Sequence, residues 1–354
     1  MRASILFTIL ILSGVQSFSQ SKYSNEFLSI GVGARALGMA NAQTSLVNDA
    51  TSGFWNPAGL TEVKSNLQVA AMHSSWFAST AAYDYVSIAV PIDATSTAAF
   101  SMIRFGIDDI PDTSELIEPG GQINYDKIKS FSAADYAFIF SYGKKTKIEG
   151  LKVGGSAKVV RRVIGEFAGS WGFGFDAGAQ YKIGDWNFGL MGKDITTTFN
   201  AWNFSLSDRM KETFAQTNNV IPENSLEVTL PKLIAGTSYK RKFAGEFSAL
   251  AAIDFDITFD GQRNVLLGTK AFSIDPHPGI EIGYNEFAFL RAGVLNFQRI
   301  KDFDGSKSYS FQACFGIGLK IKNFSLEYSL TKLGTIESAY TNIFSLKVDF
   351  FKRN

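Results

Sequence analysis

Tyr309-Ser-Phe-Gln-Ala-Cys-Phe-Gly-Ile-Gly-Leu-Lys-Ile321 decides the fold. Tyr309, Phe311, Ala313, Phe315, Ile317, Leu319 and Ile321 alternate with Ser310, Gln312, Cys314, Gly316, Gly318 and Lys320. Period two puts one set on each face of a β-strand. The same pattern runs through 171–182, where Trp171, Phe173 and Phe175 alternate with Gly172, Gly174 and Asp176, and through 323–332 and 342–351. These runs are 10 to 13 residues long, whereas strands of soluble sheets average about 5–6. A tilted strand needs about 9–11 residues to cross a bilayer. The fold predicted is therefore a transmembrane β-barrel, all-β and antiparallel.

Working outward, the strands expected are 67–76, 82–91, 96–106, 131–142, 150–162, 171–182, 185–194, 227–239, 244–256, 278–284, 287–297, 309–321, 323–332 and 342–351, fourteen in all. Alternate connections are long (107–130, 195–226 and 257–277) and the others are short, as in outer-membrane barrels, whose even strand number returns both termini to the periplasm. The least determined stretch is 257–284, where 264–274 is an alternative strand. Trp76, Tyr142, Trp171, Tyr181, Trp186 and Tyr309, near strand ends, suit the interfacial aromatic girdles.

Composition agrees. There are 32 Phe and 32 Gly, 8 Pro, 1 Cys and 2 His, and 34 basic residues against 33 acidic ones. That balance gives no electrostatic footprint for nucleic acid. Cys314 alone forms no internal disulfide, and with His73 and His277 it makes no Cys/His zinc site. By alternation the lumen carries Lys152, Lys158, Arg162, Asp176, Lys182, Glu246, Asp254, Asp256, Lys320, Glu327, Lys347 and Asp349. The signs cancel, which argues against a strongly ion-selective pore.

The first residues differ. Arg2, the apolar run Ile5–Leu12 and Ser17-Phe18-Ser19 read as a secretory signal over 1–19, with Gln20 as the expected mature start. Residues 20–66, rich in Gly, Ala, Ser and Asn, read as a compact segment long enough to enter the lumen, with a short helix over 34–48; 67–354 is the barrel. Phe54-Trp55-Asn56-Pro57-Ala58-Gly59-Leu60 is a turn, since Pro57 fixes φ and Asn56 is pushed extended. Elsewhere, Leu206–Thr217 is a helix candidate with Ser207 or Asp208 at its start. The acidic loop 107–130 lacks EF-hand spacing, and Asp254, Asp256 and Asp260 are split between strand and turn, so no metal is expected. Neither histidine has a Ser or Asp partner at a recognisable sequence spacing, and no Gly-rich phosphate loop opens a helix. The reading is non-enzymatic, without a cofactor.

Glu26–Met39, Asn48-Asp49-Ala50 and Trp55–Leu60 resemble the amino-terminal signature of the PorV/PorQ group of FadL-like outer-membrane barrels. Gly279–Tyr284 followed by Phe289–Gly293 resembles a late hairpin of that group. The resemblance implies a fourteen-stranded barrel with a plug at 20–66, and Trp55, Asn56, Pro57, Ala58 and Gly59 as its plug motif. It also implies a role in the type IX secretion system of Bacteroidetes, with the translocon barrel or the C-terminal domain of a secreted substrate as partner. The FadL-like alternative implies a channel for hydrophobic small molecules, hence a hydrophobic ligand.

Overall fold

The computed structural model describes residues 24–352 apart from 78, 119, 302–304 and 333–339. The expected signal over 1–19 lies outside them. Fourteen antiparallel strands close into a barrel. They are β1 (Leu67–Trp76), β2 (Ala81–Pro91), β3 (Ser96–Asp112), β4 (Lys129–Lys145), β5 (Leu151–Ile164), β6 (Ala168–Ile183), β7 (Trp186–Lys193 and Thr198–Phe204), β8 (Ser225–Thr229 and Lys232–Phe243), β9 (Phe247–Thr258), β10 (Ser273–Tyr284), β11 (Ala288–Lys301), β12 (Lys307–Ile321), β13 (Phe324–Lys332) and β14 (Tyr340–Phe350). β14 pairs back onto β1, with Leu67 opposite Phe350, so no edge is left where the circle closes.

In the uncertain stretch, 264–274 contributes only the two-residue pairing Leu267–Gly268 against β10, and β10 itself begins at Ser273. Several strands run further than the alternation predicts, because backbone pairing continues past the point where the side chains leave an apolar setting. β3 and β4 thus form a tall hairpin with a bulge between Ile107 and Ile110.

The outward face is the apolar one. Phe173, Phe175, Phe311, Phe315, Ile317, Leu326 and Phe344 are all exposed on the barrel wall. Tyr142, Trp171, Tyr181, Trp186 and Tyr309 are exposed too, as girdle residues should be. Trp76 is not. It is buried, points inward and donates from Nε1 to Ser74 Oγ, because the strand phase at 76 is that of the lumen face.

Inside, residues 24–66 fold against the strands. They contain the helices Ala34–Gly38 and Ser52–Trp55 and the 3₁₀ turns Glu26–Ser29 and Pro57–Glu62. The helix expected over 34–48 stops at Gly38, because Ala40 and Asn41 adopt left-handed φ of 54° and 68°. A Cβ at Gly38 would also lie 2.9 Å from the backbone of Gly316. The lumen face is less uniformly polar than expected. Tyr83, Tyr85, Ile103, Ile139, Val160 and Ile343 face inward and pack with Phe27, Phe54, Trp55 and Trp76 into one apolar cluster. The inner segment supplies apolar partners there, so this side of the barrel has two packed layers rather than a wet wall.

Candidate functional site: a chamber over the inner segment

The Trp55–Gly59 turn seats the inner segment. Pro57 opens its 3₁₀ turn and Asn56, extended at φ −160°, caps it by accepting from Ala58 N at 3.2 Å. Asn56 Nδ2 donates to Thr44 O at 2.9 Å and to the β6 carbonyl of Ala179 at 3.0 Å. Trp55 Nε1 donates to Val32 O at 2.9 Å. The strands give way to this turn by lacking side chains. A Cβ at Gly178 would lie 2.2 Å from Asn56 Oδ1, and one at Gly154 would lie 2.5 Å from the Pro57 carbonyl carbon. Many lumen-facing glycines thus make room for a second backbone.

Charge fixes the segment at further places. Arg35 Nε lies 3.0 Å from Glu281, which Arg291 reaches at 2.7 Å from the neighbouring strand. Lys347 Nζ lies 2.8 Å from Asp49. Burial pushes the Asp49 carboxyl up, but the Lys347 ammonium, with hydrogen bonds from Lys347 and Thr51, outweighs it and holds the group well below the usual carboxylate range. Asp254 Oδ2 accepts from the amides of Gln43 and Thr44 at 2.9 and 2.8 Å.

The predicted lumen charges are largely paired, but mostly with groups outside the predicted set rather than with one another. Lys158 bridges Asp176 and Asp194 at 2.8 and 2.7 Å, Arg162 meets Asp135, Lys152 meets Glu62, and Glu327 meets Arg291. Glu246 departs from the expectation. It is exposed in the turn between β8 and β9, whose strand begins only at Phe247. Asp254, Asp256 and Asp260 go to separate partners: the segment amides, Lys232 and Arg263. Among the described residues no group of three or more His, Cys, Asp or Glu is placed to hold a metal ion.

A chamber remains between the inner segment and the long-loop end of the barrel. One lobe, about 350 Å³, is bordered by Leu28, Ile30, Phe54, Trp55 and Trp76 on one side and by Lys193, Asp256 and His277 on the other. Lys193 Nζ lies over the Phe54 ring, 4.1 Å from its centre. A second lobe, about 190 Å³, shares Leu28, Phe54 and Lys193 and runs to Asp194, Leu230, Pro231 and Phe259.

That lobe meets a break in the wall. From Ala177↔Gly192 to Phe173↔Phe199, four steps of β6 face seven of β7. The extra residues bulge, and Ile195 stands exposed. β8 is interrupted at Leu230-Pro231, and Pro231 has no N–H to give the ladder. The last pair joining β8 to β9 is Lys232↔Thr258, so among the described residues Ser225–Thr229 pairs with β7 alone. Alternation showed where strands lie but missed this break; Pro231 inside an expected strand was the available signal.

The structure also pairs His73 with Asp84 across β1 and β2, at 2.7 Å. No sequence spacing announces a partner set by strand register, so this pair was not among the expectations.

No known family profile matches the chain, and no curated protein sequence does. Solved structures do. The CymD monoaromatic hydrocarbon channel superposes with a TM-score of 0.57 at 13% identity, covering 92% of this chain and 99% of that one. The Pseudomonas putida toluene transporter TodX gives 0.56 at 11% identity, covering 90% and 98%. A Pseudomonas aeruginosa FadL homologue gives 0.53 at 13% identity, covering 90% and 98%. At such identities the likeness is one of fold.

Proposed function

We propose that this chain is an outer-membrane channel for hydrophobic small molecules, with residues 20–66 as its plug and Trp55, Asn56, Pro57, Ala58 and Gly59 as the turn that seats the plug. The observation that carries this reading is the chamber that ends on the inner segment and runs sideways to the break in β8 at Leu230-Pro231, where the ladder with β9 ends. A packed segment closes the straight path along the axis. An apolar molecule entering at the long-loop end meets Leu28, Phe54 and Trp55, and the break offers an exit into the bilayer without crossing the plug. The neighbours of similar fold that are hydrocarbon channels support the reading. The balanced lumen charges favour it over an ion pore.

The test is uptake of radiolabelled toluene by cells expressing the chain, compared with a variant lacking Ile195, Thr196 and Thr197. That deletion removes the three extra steps of β7 and restores a four-for-four register with β6. Uptake above an empty-vector control that falls in the deletion variant is expected. Equal uptake by the two, with both folded, overturns the lateral route.

A second reading is a component of the type IX secretion system, binding the translocon barrel or a substrate's C-terminal domain. It rests on the resemblance of 26–60 and 279–293 to the PorV/PorQ group and on a lumen already filled. Recovery of a large translocon barrel on detergent pull-down, together with an export defect in a deletion strain, is its test.

A further inference from the structure

On the outward face of the barrel, a group of polar and ionisable side chains lies near the long-loop end, where Arg104 of β3 stands opposite Asp84. There β1 carries His73 and Ser75, β2 carries Asp84 and β14 carries Asn342, all turned outward. The His73 and Asp84 side chains are 58% and 43% exposed. A charge on the lipid face costs about 2–4 kcal/mol at mid-bilayer and about 0–1 near the interface. Ser75 is one residue from the end of β1, at the depth where water is within reach. Ionisable groups on a membrane-embedded surface mark function by default.

Their arrangement is that of a charge-oriented nucleophile. His73 Nδ1 lies 2.7 Å from Asp84 Oδ1. With the proton held on Nδ1 by the carboxylate, Nε2 is the basic nitrogen, and it lies 3.5 Å from Ser75 Oγ. That distance is at the loose end of a hydrogen bond, as is common before substrate binds. Asn342 lies directly opposite Ser75 in the β1–β14 register. Its Oδ1 accepts from Tyr328 Oη at 2.6 Å, which leaves the Nδ2 hydrogens as its donors. Beside these residues an apolar groove of about 530 Å³ runs across β12, β13, β14 and β1, bordered by Ala71, His73, Leu319, Leu326, Tyr328 and Phe344. It is lined almost wholly by apolar atoms, and on a barrel wall its occupant is lipid.

We propose that Ser75, His73 and Asp84 form a serine-hydrolase triad on the outer wall, acting on the acyl ester of a glycerophospholipid whose chain lies in this groove. Such triads are recognised by geometry and role rather than by sequence order. Ser75 Oγ attacks the ester carbonyl carbon while its proton passes to His73 Nε2. Asn342, opposite Ser75 in the register, is the nearest side-chain amide in the β1–β14 pairing to serve as donor to the carbonyl oxygen as it becomes an oxyanion. The carbon–oxygen bond to the lysophospholipid breaks, and that alcohol leaves with the proton from Nε2. Water then attacks the acyl-serine, giving one proton to Nε2. The fatty acid departs and the proton returns to Ser75 Oγ. Asp84 keeps its charge throughout and stabilises the imidazolium.

The proposal rests on the membrane placement above but not on the channel reading. The full chain, purified in nonionic detergent, is treated with a fluorescent fluorophosphonate, and oleate release is measured from mixed micelles of dioleoylphosphatidylethanolamine. Labelling on the peptide that contains Ser75, with oleate release that falls by about 10³-fold or more in Ser75→Ala and in His73→Asn, is expected. Gel heat-modifiability shows that each variant is a folded barrel. Absence of labelling with wild-type release no greater than Ser75→Ala overturns the triad. Labelling without oleate release overturns the phospholipid ester as substrate. Toluene uptake by Ser75→Ala separates this result from any failure of the channel.

Discussion

Replacing Asn56 with alanine tests whether one side chain seats the inner segment. Asn56 is fully buried, donates to Thr44 O and Ala179 O at 2.9 and 3.0 Å, and accepts from Ala58 N at 3.2 Å. Each such bond contributes about 1 kcal/mol net, so three contribute about 3 kcal/mol. Alanine also leaves the Ala58 N–H without its acceptor, a further cost of about 1–2 kcal/mol. The Ala179 carbonyl belongs to β6, so its loss is the milder one. Local opening of the segment should thus become easier by about 3–5 kcal/mol, or about 10²-fold to a few thousand-fold at about 1.4 kcal/mol per decade. Hydrogen exchange followed by mass spectrometry on peptides from 43–60, in detergent, measures this opening separately from the barrel. Exchange in the Asn56→Ala variant that stays within about threefold of wild type, while barrel peptides remain protected, would refute the assignment of Asn56 as the seat.

Three further outcomes follow from the same contacts. Glu281→Gln leaves the buried Arg291, and Arg35 beside it, without their shared carboxylate; thermal unfolding in detergent should show a loss of about 3–5 kcal/mol. Gly154→Val places a side chain where only 2.5 Å separates Cβ from the Pro57 backbone; overpacking should cost about 1–3 kcal/mol and raise exchange in 43–60 more than in the strands. Asp49 has its folded-state carboxyl held below its unfolded value, so its pairing with Lys347 stabilises docking in full above the ordinary carboxylate range and loses that contribution as pH falls through the depressed folded value. Proteolysis of the inner segment should therefore be flat from pH 8 down to about 5 and rise below about 4, and Asp49→Asn should abolish that rise.

Much of this was legible in the chain because a strand's side-chain period is fixed by backbone geometry. The run 309–321 shows its two faces whatever it pairs with, and Phe311, Phe315 and Ile317 are exposed on the wall as alternation requires. Turn chemistry is equally local, so the Asn56-Pro57 turn and the Ser207 cap of the helix Asp208–Gln216 could be read directly. Trp76 was misread because the girdle argument uses proximity to a strand end, while burial depends on phase. The helix over 34–48 was overextended because the demand on Ala40 and Asn41 comes from Asp254, some 200 residues on, which draws in the amides of Gln43 and Thr44.

By itself, then, the sequence determined strand number, the apolar outer face and a neutral lumen, all of which follow from period two and composition. Tertiary structure alone decided which side chains meet. Closure of the sheet sets one register around the whole circle. That register puts Arg35 against Glu281, Gly178 under Asn56, and His73 between Asp84 and Ser75. Among the described residues, it also leaves Ser225–Thr229 without a strand on one side. Apart from His73 and Ser75, which share a strand face, local pattern carries no information about these pairings, because each depends on the offsets of the turns and bulges between the partners.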